Sequence, residues 1–118
     1  MTAEDFRRLA LNMPGAIERA HMGHPDFRAS GRIFATLHSN DEFGMVKVAP
    51  EEQRELMRTH RKVFTPSSGA WGRQGCTNVR LDAADEGAVR GALVLAWERA
   101  SAMPPPRRAP AKSRKRTA

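Results

Sequence analysis

The chain lacks the material for a disulfide, a cysteine-rich metal site or a membrane segment. Its 118 residues include one cysteine, Cys76, which excludes an internal disulfide and a multi-cysteine zinc cluster and fits a reducing compartment. No apolar run approaches the ~20 residues of a membrane span. The N-terminus places Glu4 and Asp5 before any apolar segment and so lacks the pattern of a secretory signal. These absences predict a cytoplasmic protein with no membrane partner. Aromatic residues make up only 6% of the chain and form no series on which successive bases of a single strand could stack. Trp71 is the one candidate, because Trp97 falls in the apolar stripe of a predicted helix.

Acid is missing from one region in particular. Residues 104–118 contain Arg107, Arg108, Lys112, Arg114, Lys115 and Arg116 and no Asp or Glu. The chain has 20 basic and 13 acidic residues, so without those six the first 103 residues carry 14 against 13 and are nearly neutral. The region also lacks aromatic and large aliphatic residues and cannot bury enough apolar area to offset the entropy of ordering it. The expectation is a single domain over 1–103 followed by a disordered basic arm over 104–118. Such an arm binds phosphate backbones without reading sequence, or serves only to keep the chain soluble.

What is present has a clear order. Phe6, Leu9, Ala10 and Met13 have helical spacing, with Thr2 as N-cap and Asp5 three residues on, and Pro14-Gly15 stops the helix. Residues 16–22 fit a short strand, and 27–29 and 32–38 fit two strands joined at Ser30-Gly31. In the second of these, period-two alternation puts Ile33, Ala35 and Leu37 on one face. A turn over 39–42 leads to a strand over 43–48. Pro50, Glu51 and Glu52 open a helix over about 50–61, whose basic end suits the helix dipole. Its apolar stripe is narrow, mainly Leu56 and Met57. Residues 66–75, with three glycines around Trp71, read as a loop or hairpin tip, followed by a strand with Thr77, Val79 and Leu81 on one face. Asp82 is placed to cap the last helix, with Asp85 in its first turn and Val89, Ala92, Leu93, Ala96, Trp97 and Ala100 along its stripe. Gly87 and Gly91 inside that helix suggest close approach of a neighbouring backbone. The predicted order is α-β-β-β-β-α-β-α.

Few residues invite chemistry. His21, His24 and Asp26 are metal-compatible ligand types, but two histidines on a strand and turn need not converge and no second ligand pair stands out. Cys76 has Arg73 as its only nearby cation in sequence and reads as a half-buried strand thiol. Ser67-Ser68-Gly69 lacks the strand-nucleophile-helix setting of a hydrolase elbow, and Gly69 to Gly75 matches no Walker or dinucleotide pattern. That loop can cradle a phosphate through its N–H groups or be an ordinary hairpin tip. No catalytic residue, metal site or cofactor is predicted.

Several blocks together carry a resemblance: Pro14 to Leu37, Pro50 to Arg54, Phe64 to Gly69, Gly72 to Gly75 and Val79 to Asp82. In this order, over about residues 3–100, the chain resembles the MmcQ/YjbR family. The resemblance implies an α+β fold, an antiparallel sheet packed against helices in a double-wing, CyaY-like arrangement, and a partner that is DNA. Cys76 stands where the family commonly has tryptophan. The acidic ridge by which frataxin-type proteins of this fold bind iron is absent, since Arg7 and Arg8 follow Glu4 and Asp5 directly.

On this reading the wings span about 27–38 and 64–80, and a β-ribbon is narrow enough to enter a major groove. The expected DNA contacts are Arg28 and Arg32 beside the Ser30-Gly31 turn, Arg73 in the glycine-rich tip, Lys47 and Arg80 on polar strand faces, and the six tail cations. The bland alternative is a solvated surface. The expected state is a monomer or weak dimer. A rival function is a non-enzymatic protein-interaction adaptor that uses the open sheet or the Trp71 loop.

Overall fold

Thr2 and Asp5 begin the first helix as a reciprocal cap. In the computed structural model, which describes residues 1–21, 23–38 and 42–102, Thr2 Oγ1 accepts from the Asp5 backbone N–H at 3.1 Å. The Asp5 carboxylate accepts from the Thr2 N–H at 2.9 Å. Two N–H groups that a helix start leaves unpaired are thereby satisfied. Helix α1 (Ala3–Leu11) is followed by strands β1 (Ile17–His21), β2 (His24–Ala29), β3 (Arg32–Leu37) and β4 (Phe43–Lys47). Helix α2 (Pro50–Thr59), strand β5 (Phe64–Pro66), helix α3 (Gly69–Arg73), strand β6 (Cys76–Arg80) and helix α4 (Glu86–Ala102) complete the order. The fold is α+β, with one antiparallel sheet in the order β1-β2-β3-β4-β6-β5.

The β2–β3 hairpin turns at Ser30 and Gly31, whose φ angles of 54° and 76° are both left-handed. This is the turn geometry that matches strand twist, and glycine supplies half of it without strain. Just beyond, the pairing slips: Phe27 faces Ala35, but Arg28 faces Ile33, so Phe34 is an extra residue on β3. The bulge corrects the expected face of Ile33. Phe34, Ala35 and Leu37 are buried in the core, whereas Ile33 turns to the opposite side with Arg28.

The core lies between one face of the sheet and helices α1 and α4. Phe6 and Leu9 of α1 and Val89, Leu93 and Ala96 of α4 pack with Phe27, Phe34, Leu37, Val46 and Val79 of the sheet. Each fully buried Phe or Leu contributes about 1.5–3 kcal/mol. Gly44 lets α1 come close to β4, since a Cβ there would lie 2.7 Å from the Phe6 ring. At the other edge α2 packs Leu56 and Met57 against the core, as expected, and is also fixed by a polar residue. Gln53 is buried, and its Nε2 lies 3.0 Å from both the Gly72 and Cys76 carbonyls and 3.2 Å from Thr77 Oγ1.

Three further expectations are corrected. The segment 66–75 is not a plain loop, because β5 runs to Pro66 and α3 is a short helix. Asp82 does not cap α4: Leu81 is buried through a 3-10 turn over Leu81–Ala83, and this delays the helix start. Asp85 takes the role, its Oδ1 accepting from the Ala88 N–H at 2.9 Å. Gly87 and Gly91 do not mark close backbone contact. A Cβ on Gly91 would meet nothing within 4 Å, and one on Gly87 only Asp85 Oδ1 at 3.4 Å.

Candidate functional site

At one end of the sheet, cations from four elements converge. Arg28 and Arg32 flank the β2–β3 turn, Lys47 ends β4, and Arg99 comes from the last turns of α4. Together they line a cavity of about 320 Å³ floored by Ile33, Ala96 and Ala100, and among the described residues no Asp or Glu lines it. The end of a helix carries roughly half a negative charge at most, so four full cations dominate the potential there. Behind Arg28 stands Asp26, with a side chain only 1% exposed. Its two carboxylate oxygens accept from Arg28 Nε at 2.8 Å and from an Arg28 terminal nitrogen at 3.2 Å. This two-pronged pair fixes the guanidinium plane and raises the Arg28 pKa further above its ordinary value.

A second, larger depression adjoins the first. The face of the sheet away from α1 and α4 forms a groove of about 460 Å³, with Thr36, Met45 and Asn78 on its floor and Ser67 and Trp71 on its wall. Ile33 and Lys47 line both depressions. Trp71 is 63% exposed, and Lys47 Nζ lies 5.9 Å from the centre of its ring, at the outer reach of a cation–π contact. Ser67 Oγ donates to Asn78 Oδ1 at 2.9 Å and so turns the carboxamide nitrogen toward other partners.

Two titratable groups border the groove in neutral form. Burial pushes the Cys76 thiol up, and the nearby charges of Lys47 and Arg99 only partly oppose it. A protonated, buried thiol is a poor nucleophile. His38 is pushed down by burial and then by His24, 6.4 Å away ring to ring, so it adds no cation at neutral pH.

The structure therefore brings Arg28, Arg32 and Lys47 into one cavity and leaves the other expected contacts outside it. Arg73 is exposed at the end of α3. Arg80 lies at the opposite end of β6, paired with Asp82 at 2.8 Å and near Arg61 and Lys62. Arg107, Arg108, Lys112, Arg114, Lys115 and Arg116, and with them the expected disordered arm, fall outside the described residues. Among the described residues no group of three His, Cys, Asp or Glu side chains is arranged to hold a metal. Asp26, one member of the possible ligand cluster, instead holds Arg28. Sequence reasoning missed Asp26 and Arg99. The first had a signal, since Asp26 and Arg28 are two apart on a strand and share a face. Arg99 had none, because its site exists only where the end of α4 meets the sheet.

The comparisons with known proteins agree with the fold. A family model described as YjbR matches residues 11–99. The chain is similar to the crystal structure of Deinococcus radiodurans protein DR2400, described with a DUF419 domain, at 20% identity and a TM-score of 0.68. That likeness covers 81% of this chain and 75% of the other. No curated protein matches the chain. Among the described residues no helix is long and apolar enough to cross a membrane.

Proposed function

Because the chain belongs to the YjbR family, we propose that it binds DNA, with the cation-lined cavity as the phosphate-holding part of its folded domain. The observation that carries this reading is the convergence of Arg28, Arg32, Lys47 and Arg99 from four elements on a cavity that no Asp or Glu among the described residues lines. Scattered surface cations are usually offset by carboxylates, as Arg80 is by Asp82. Asp26, by contrast, is buried behind Arg28 and aims it. Preorganised guanidinium groups suit phosphate oxygens, which accept charge-assisted hydrogen bonds.

Residues 104–118 follow α4 in the sequence and carry six cations. We propose that this segment adds affinity without sequence preference to that of a domain over 1–103 located in the cytoplasm. Arg73 extends the contact surface at the end of α3, whereas Arg80 contributes less because Asp82 occupies it. The protein is read as non-catalytic, since no acid–base pair or activated nucleophile lines either depression.

The test is DNA titration across a salt series, with the full chain and with residues 1–103. Loss of the arm lowers the salt slope by up to about five, from six phosphate contacts. In the shortened chain, Arg32→Ala with Arg99→Ala lowers it by about two more and weakens all sequences alike. Arg28 is left in place because it balances buried Asp26. A folded double variant that binds DNA as its parent does would overturn the reading and leave the Trp71 groove as a docking surface for a protein.

A further inference from the structure

The cavity and the groove are continuous through Lys47 and Ile33, and their chemistry differs. One is cationic; the other presents an exposed indole face with a carboxamide and a hydroxyl nearby. We infer that together they form a site for an unpaired nucleotide of a single strand, its base stacked on Trp71 and its phosphate held by Lys47, Arg99 and Arg32. This inference rests on the reading of the cavity as a phosphate site.

The geometry of Lys47 links the two halves. Lys47 lines the cavity, and its Nζ lies 5.9 Å from the Trp71 ring centre, so one side chain reaches both a phosphate in the cavity and a base stacked on the ring. A lysine–indole contact at an exposed site is weaker than a base–indole stack, and a base can replace it while Lys47 turns to the phosphate. Asn78, with its oxygen taken by Ser67, offers N–H donors to a base edge.

Charge and stacking select this occupant over others. A base within a duplex has both faces covered by its neighbours, so the indole can take only a base freed from the stack. An acidic peptide would satisfy the cations but has no use for the indole face. The chain's own Pro104-Pro105-Pro106 segment could lie on an aromatic surface, but it brings Arg107 and Arg108 toward four like charges. With one indole, the site stacks one base on Trp71 at a time.

Amide-labelled full-length protein is titrated with a short oligo(dT) strand and, separately, with a hairpin duplex, at a salt level that suppresses the arm's contribution. Trp97 provides an internal reference, because its indole N–H donates to the Pro14 carbonyl at 2.8 Å, away from the groove. The expected result is that the Trp71 indole signal moves with oligo(dT) and not with the duplex, while the Trp97 signal stays. Trp71→Ala then weakens oligo(dT) binding by about five- to hundredfold and leaves duplex binding unchanged, and Trp71→Phe recovers most of the loss.

A still Trp71 signal with an unaffected Trp71→Ala variant overturns the inference, as does equal movement with the duplex. In either case, loss of binding in the Arg32→Ala, Arg99→Ala variant keeps the cavity as a phosphate site. If that variant also binds both probes as the parent does, the reading of the cavity falls as well.

Discussion

The two faces of the sheet are made by the same strands, one residue apart, and have opposite chemistry. On the covered face Phe27, Leu37, Val46 and Val79 meet α1 and α4 and are 0–1% exposed. On the open face, Arg28, Thr36, Lys47 and Asn78 occupy the alternate positions. The difference shows where fold and function are stored in this chain. Residues on the covered face are chosen for shape and are intolerant of added volume. Those on the open face are chosen for charge and hydrogen bonding, and most can change without unfolding the domain.

The strongest way to break that comparison is at Gly44. A Cβ there already falls 2.7 Å from the Phe6 ring, so Gly44→Val forces α1 off β4. The expected cost is about 3 kcal/mol or more. On the open face opposite, Thr36→Val changes stability by less than about 1 kcal/mol, since that side chain borders a groove. Urea unfolding of both variants measures the contrast. Equal midpoints would mean that the covered face can shift to accept volume.

Asp26 is the exception on the open face, and it sharpens the comparison. Its carboxylate is buried there, with Arg28 as its ion-pair partner. Asp26→Asn keeps the shape and removes the charge. The expected cost is about 1–2 kcal/mol, kept modest because Arg28 is about a third exposed and water can solvate it. Weaker DNA binding should follow, because the Arg28 plane is no longer fixed. A variant that loses stability but binds DNA as before would show that the pair supports the fold alone.

Much of the covered face was legible in the sequence, and the open face largely was not. Apolar spacing in α1 and α4 and the Ser30-Gly31 turn gave element type and order, because burial and backbone sterics act locally. Ile33 was misplaced because a bulge depends on how two strands pair, and Phe34 looks like any alternating residue until Arg28 is known to face Ile33. Gln53 was missed because its three acceptors come from α3 and β6, 19 to 24 residues away. The site failed in the same manner. Arg28 and Arg32 were found from a local turn, but Arg99 joins them only through the packing of α4 on the sheet. Arg80 looked equivalent to Lys47 until Asp82 was seen to pair with it.

The smallest expected effect returns to glycine and reverses its sign. Gly44 and Gly91 are the same residue in helix-covered parts of the molecule, yet one lies beneath a phenyl ring and the other on the outer flank of α4 with 4 Å of open space around its Cβ position. Gly91 was expected to serve a close approach. With none present, it lowers helix stability and increases the freedom of the unfolded chain without return. Gly91→Ala should therefore raise stability by about 1 kcal/mol, read as a higher urea midpoint with an unchanged slope. DNA binding should not change, because Gly91 lies two turns from Arg99 and outside both depressions. A loss of stability would mean that this flank does not accept the added methyl. A gain, paired with the loss at Gly44, would place the boundary between the tolerant and intolerant sides of the domain along α4 itself.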